Sequence, residues 1–337
     1  MDEKEWDEDE WKNRWRRIPM YSWGDDTSTW KTPGAYSYGD AMKPYLEKNK
    51  KISEEKGDRT YLSKKKPDLS LVDPKGKEIS TDSPNPVIIA VDGTGSMQTW
   101  PAEIFDRLPL LYQTLSKYRP DTEISFSVIG DANSDVWPVQ ISGFGKGPTL
   151  DDYLKALQPE GGGGPGIRES YELWAYYVQQ HVQTPKATSP FMIIMGDEKF
   201  YEHVDPEHVK RYLGGGLQER LDSKEVWEAL SQRFDIVFLR KQYAGKDAEI
   251  EAQWKGALGE QRVIPLYDPT RAVDVAMGII AKRWGQEGDY FQSLSARQDA
   301  PAIEAVKKSL RAMPSMDVGM NSKTGGQKSG AKSVKLA

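Results

Sequence analysis

The chain of 337 residues sets 46 Lys and Arg against 51 Asp and Glu, for a formal net charge of −5 with 29% charged residues. That balance gives no global attraction to nucleic acid or to an anionic membrane surface. With no cysteine at all, disulfides, thiol catalysis and Cys-ligated zinc, iron–sulfur or haem-thiolate centres are excluded, which fits a reducing, cytoplasmic setting.

The first residues are acidic and lack an apolar core, so no secretory signal is expected, and no run approaches the about 18 apolar residues of a membrane span. Residues 1–83 read as an N-terminal arm, polar and turn-rich, with five of the eleven tryptophans in the first thirty positions. Acids ahead of Lys12, Arg14, Arg16 and Arg17 favour a helix on which Trp6, Trp11 and Trp15 share a stripe. Such an arm either clamps onto the main domain or docks another protein. Lys64, Lys65 and Lys66 read as a solvated run. Leu69 to Val72, then Asp73-Pro74-Lys75-Gly76, then Glu78 to Thr81 predict a strand, a turn and a strand.

From Pro86 onward the pattern alternates between strand and helix. Val87 to Val91 is a continuous apolar run bounded by Pro and Gly, as expected of a strand covered on both faces. Ile104, Leu108, Leu111, Leu115 and Tyr118 keep a helical period, with Pro109 kinking it or starting a new segment. Ile124, Phe126 and Val128 alternate into a second strand that ends at Gly130-Asp131. Val136 to Phe144 forms a third, which Pro138 places at an edge. A short helix over Thr149 to Leu157 precedes the loop Gly161-Gly162-Gly163-Gly164-Pro165-Gly166, and Ile167, Tyr171, Trp174 and Val178 mark the next helix. Phe191 to Met195 is another buried strand, ending in Gly196-Asp197-Glu198. Residues 199–233 hold two helices separated by Gly214-Gly215-Gly216, an insertion long enough to decorate one edge of the sheet. Ile236 to Leu239 and Val263 to Leu266 supply further strands around a polar helix. Asp268-Pro269 starts a helix with Val273, Met277, Ile280 and Trp284 inward, and Ile303, Val306, Leu310 and Met313 mark a last one. Residues 84–285 thus read as one α/β domain, 286–313 as a helical extension and 314–337 as a disordered tail.

This alternation predicts a doubly wound, mainly parallel sheet flanked by helices, a Rossmann-like arrangement whose ligands bind outside the carboxyl ends of the strands. Asp92, Asp131 and Asp197 all fall at such ends. Asp92, Thr94 and Ser96 stand at i, i+2 and i+4, so a tight turn aims three side-chain oxygens at one point. Oxygen donors of low formal charge suit a hard divalent cation such as Mg²⁺.

Asp92-Gly93-Thr94-Gly95-Ser96 resembles the DxSxS signature of von Willebrand factor type A (VWA) domains, with threonine for the middle serine. The GGGG loop and Gly196-Asp197 match the other two pieces of that signature in order and spacing. IGDANSD, PEGGGGPGIRESYELWAYY and GDEKFY are similar to a bacterial group within the family, over about residues 60–285. The resemblance implies a metal-ion-dependent adhesion site (MIDAS) holding Mg²⁺, or Mn²⁺ or Ca²⁺. Thr94 and Ser96 would ligate through hydroxyls, and Asp92 and Asp197 directly or through water. Gly164 stands near the position where the family carries a ligating threonine; Glu169, at the start of the next helix, or Asp131 would compensate. A partner protein's Asp or Glu would fill the open coordination position, which makes the chain an adaptor without chemistry of its own. The partner implied by analogy is an AAA+ ATPase.

Two other classes compete with that reading. A metal-dependent phosphatase with Asp92 as nucleophile needs an acid at the second position after it, where Thr94 stands. A self-assembling structural protein would use the arm and the last helix. A nucleotide site lacks both GxxxxGK[ST] and the third glycine of GxGxxG.

Overall fold

The computed structural model describes residues 66–97, 100–105, 107–162, 166–243, 245–311 and 313. The N-terminal arm to residue 65 with its tryptophan stripe, Gly164 and the tail from residue 314 lie outside the described residues. Six strands form the central sheet: β1 (Pro86–Asp92), β2 (Glu123–Ile129), β3 (Val139–Ile141), β4 (Phe191–Gly196), β5 (Asp235–Arg240) and β6 (Val263–Pro265). Their order is β6-β5-β4-β1-β2-β3, and only β3 runs antiparallel to its neighbour.

Each residue of β1 is buried, as its unbroken apolar run requires, because helices cover both faces of the sheet. The pleat divides the strand between two cores. Val87, Ile89 and Val91 pack on one face with α1 (Trp100–Phe105), α2 (Leu108–Tyr118), α3 (Thr149–Ala156), α7 (Ala272–Arg283), α8 (Glu287–Ser295) and α9 (Ala300–Leu310). Ile88 and Ala90 pack on the other with α4 (Tyr171–His181), α5 (Ser223–Ser231) and α6 (Asp247–Leu258). Pro109 sits in the first turn of α2, where a missing N–H costs nothing, so it starts a second helix after α1. Tyr290, Leu294, Val306 and Leu310 belong to the same core as the sheet, so residues 286–313 are continuous with the main body.

Two expectations are corrected. Leu69–Val72 is a single helical turn and not a strand: the Asp68 carboxylate accepts from the Ser70 amide at 3.0 Å and caps it, and only Val72 is buried. Glu169 does not open α4. With Arg168 it pairs in parallel with Lys199–Phe200, and Ser170 stands before the helix. The short strand Ile79–Ser80 does form, paired in parallel with Val182–Gln183.

The insertion after β4 pairs His203–Val204 with Leu221–Asp222 and carries a widened turn, Val209–Leu213, closed by Gly214 at φ 101°. Tyr212 Oη donates to Ala132 O at 3.0 Å, which seats the insertion on the loop following β2. Among the described residues no helix is long and apolar enough to cross a membrane.

Candidate functional site

From β1 the chain moves to β2 on one side of the sheet and later returns to β4 on the other, which opens a crevice at the carboxyl ends of β1 and β4. Asp92 ends β1 with no exposure, and Asp197 follows the last residue of β4. Asp92 Oδ1 accepts from the Thr94 amide at 2.9 Å and from Thr94 Oγ1 at 2.5 Å. Thr94 Oγ1 lies 3.3 Å from Ser96 Oγ, and Ser96 Oγ donates to Asp197 Oδ1 at 2.9 Å. Four predicted residues therefore form one continuous chain of oxygens.

The glycine loop is tied to the same turn. The Gly95 amide donates to Gly162 O at 2.5 Å and the Gly161 amide to Gly93 O at 3.0 Å. Close approach explains the small residues: a Cβ on Gly162 would stand 1.8 Å from Asp135 Oδ1, and one on Gly93 2.5 Å from Val128 Cγ1.

Three residues that sequence reading did not assign to the site complete it. Tyr171, a helix-core position by its spacing, donates its hydroxyl to Asp92 Oδ2 at 2.5 Å. Glu198, buried directly after Asp197, feels the charges of Asp92 and Asp197. Lys241, the first residue beyond β5, places Nζ 2.8 Å from Ser96 O and 3.4 Å from Asp197 Oδ2. The available signal was positional, since Glu198 and Lys241 both stand at carboxyl ends of strands; for Tyr171 there was none. Glu169 is 2% exposed and its Oε2 has no hydrogen-bond partner. Asp131, also buried, sends its bonds elsewhere. Its Oδ1 accepts from Asn133 Nδ2 at 2.9 Å, Tyr201 Oη at 3.1 Å and Ser170 Oγ at 3.3 Å, while Oδ2 is unpartnered.

Burial dominates the electrostatics. It pushes Asp92 up to about 7, with the charge of Asp197 adding to the effect and the bonds from Thr94 and Tyr171 opposing it. Burial likewise raises Glu198 to about 8, with Asp92 and Asp197 contributing, and raises Glu169 well above the carboxylate range. Asp197 is raised by burial and held back by Lys241. Tyr171 is pushed far up by burial and by Asp92, so its phenol stays a donor. Asp135 is raised by burial to about 7. Among the described residues, Lys241 is the one basic side chain that pairs with any of Asp92, Asp197, Glu169 and Glu198.

Among the described residues no group of three or more His, Asp or Glu is arranged to hold a metal ion. The donor set here is of another kind: two carboxylates, Asp92 and Asp197, linked through the hydroxyls of Thr94 and Ser96. Hard oxygens in that number fit Mg²⁺, Mn²⁺ or Ca²⁺ and offer nothing to a thiophilic metal.

No family model matches the chain, and no curated protein matches it. Among solved structures, the pilus adhesin SpaC from Lactobacillus rhamnosus GG in its open conformation is similar at 13% identity and a TM-score of 0.45, over 62% of this chain and 31% of that one. Proximal thread matrix protein 1 from the mussel byssus is similar at 9% identity and a TM-score of 0.43, over 61% of this chain and 49% of that one. The chain thus spans less than half of either structure. What the described residues establish by themselves is a mixed α/β fold with a mostly parallel central sheet flanked by helices.

Proposed function

We propose that the crevice between β1 and β4 binds a divalent cation, Mg²⁺ by its donor set, and captures a carboxylate of a protein partner, as in a VWA-type MIDAS. The carrying observation is the unbroken contact chain Asp92–Thr94–Ser96–Asp197, four hard donors brought together from loops 101 residues apart. In this reading Asp92 and Asp197 carry the charge that retains the ion, Thr94 and Ser96 offer hydroxyl oxygens, and Tyr171 and Lys241 orient the two carboxylates from outside. Glu169 is the acid that would stand in for the family's threonine. Asp131 braces the neighbouring loop through Asn133, Ser170 and Tyr201 instead. Gly95, Ser96, Gly161 and Gly162 are partly exposed, so a ligand reaches the crevice from that side.

A hydrolase is less favoured, because both oxygens of Asp92 already accept hydrogen bonds and Thr94 offers no acid for proton transfer. The adaptor and an AAA+ ATPase as partner are parts of the same proposal and rest on the motif resemblance, while the cytoplasmic setting rests on the lack of cysteine. Calorimetric titration of Mn²⁺ into the full chain and into Asp92→Asn tests the cation step. Wild-type protein that takes up no Mn²⁺ ends the proposal. Partner capture in buffer with EDTA at wild-type level ends its second half.

A further inference from the structure

Lys241 is the part of the site that cation binding alone does not explain. It enters from the end of β5, where its amide donates to Gly196 O at 2.9 Å, so its backbone is locked to the strand that delivers Asp197. Its ammonium then reaches 2.8 Å to the carbonyl of Ser96 and 3.4 Å to Asp197 Oδ2, while Ser96 Oγ holds the other oxygen of the same carboxylate at 2.9 Å. An ammonium has three donors, and these contacts use two. The side chain is 20% exposed, against 1% for Asp197, so it lies between the buried acids and solvent.

Charge gives this placement a purpose. Asp92, Asp197, Glu169 and Glu198 are all nearly or fully buried at the crevice. Around a dication held by Asp92 and Asp197 the carboxyl groups outnumber the basic side chains: among the described residues Lys241 alone pairs with any of the four. An incoming carboxylate meets that acidic surround, and the Lys241 ammonium stands where it offsets the repulsion.

We propose that Lys241 is the anion-admitting residue of this site, placing its remaining N–H on a ligand carboxylate that occupies the cation's open position. This inference rests on the cation reading above. It adds a specificity that the ligating residues alone lack: a carboxylate with two accessible oxygens is favoured over a neutral amide, alcohol or water.

The same geometry sets two opposing effects for one substitution. Removing the ammonium takes a positive charge away from beside the cation, which strengthens cation binding, and deprives the carboxylate of its second contact, which weakens its capture. A purely structural role for Lys241 would move both in the same direction.

The test uses the full chain, Mn²⁺ as cation and acetate as carboxylate, with Lys241→Met and Lys241→Arg. Free Mn²⁺ is read by electron paramagnetic resonance, and acetate binding by its displacement of Mn²⁺-bound water in proton relaxation. The expected result is Mn²⁺ affinity about tenfold tighter in Lys241→Met, acetate affinity at least about tenfold weaker, and near-native values for both in Lys241→Arg. Acetate binding by Lys241→Met equal to wild type overturns the inference while leaving the cation site standing. So does a parallel loss of Mn²⁺ and acetate that Lys241→Arg does not rescue. Wild-type protein that binds no Mn²⁺ sinks the cation reading and this inference together.

Discussion

The Ser96 hydroxyl donates to Asp197 Oδ1 at 2.9 Å and so joins the turn after β1 to the end of β4. That bond is the smallest unit of the site, because each partner is useless to a cation without the other. Asp197 alone is one buried carboxylate with an ammonium beside it, and Ser96 alone is a turn hydroxyl.

Asp92→Asn keeps the shape and an acceptor while removing the charge. Saturating Mg²⁺, at about 100 times its dissociation constant, stabilises the wild type by about 2.7 kcal/mol, and this gain disappears in the variant. Without the ion the variant is as stable as wild type or more so, because a carboxyl that burial holds up at about 7 no longer ionises at neutral pH. Thermal unfolding with and without Mg²⁺ checks both halves.

Stability should fall as pH rises. Asp92 and Asp135 lie at about 7 and Glu198 at about 8 in the folded chain, all above the ordinary carboxylate values of the unfolded one. Between roughly pH 4 and 8 the folded chain therefore holds protons that the unfolded chain has released, so stability declines through that window and levels off above it. In EDTA the urea midpoint is expected to be at least about 0.5 M lower at pH 8.5 than at pH 5.5. Mg²⁺ stabilises more at pH 8.5, where it no longer competes with those protons.

Tyr171→Phe removes the hydroxyl that Asp92 Oδ2 accepts at 2.5 Å and leaves that oxygen buried without it. Chemical denaturation in EDTA should show a loss of about 1.5–3 kcal/mol, the range for a hydrogen bond to a charged group. The loss shrinks when Mg²⁺ is present to neutralise the carboxylate.

Glycine placement offers a paired test. A Cβ on Gly196 would stand 2.1 Å from Tyr171 Oη, so Gly196→Ala displaces the tyrosine from Asp92 and costs about 1–3 kcal/mol together with cation affinity. Gly256 lies inside α6 with nothing within 4 Å of its added Cβ, and Gly256→Ala gains about 0.5–1 kcal/mol. Denaturant midpoints of the two variants should move in opposite directions.

Asp274, fully buried on α7, pairs with Arg107 at 2.7 Å, Arg271 at 3.6 Å and Arg297 at 3.8 Å, drawing α2 and the segment after α8 onto one carboxylate. Asp274→Ala strands those guanidinium groups and should cost about 3–5 kcal/mol. Lys186→Ala breaks an exposed pair with Asp82 and should change stability by less than about 1 kcal/mol, measured by the same unfolding curves.

By itself the sequence determined the elements and the motif. The apolar run Val87 to Val91 has nowhere to go except a strand covered on both faces, and the alternation that follows dictates a parallel sheet with its acids at the carboxyl rim. Asp92, Thr94 and Ser96 were legible because their spacing acts locally, within one turn. Local pattern failed where a neighbour in space decides. The short stretch Leu69 to Val72 became a helical turn once Asp68 capped it, and Glu169 was drawn into pairing with Phe200. Only the tertiary structure decided which acids meet and what sets their charge. Tyr171, Glu198 and Lys241 come from three different elements, and no period in the chain links them to Asp92. Their roles follow from burial, which raises the cost of each carboxylate's charge and makes the hydroxyls and the Lys241 ammonium beside these acids decisive.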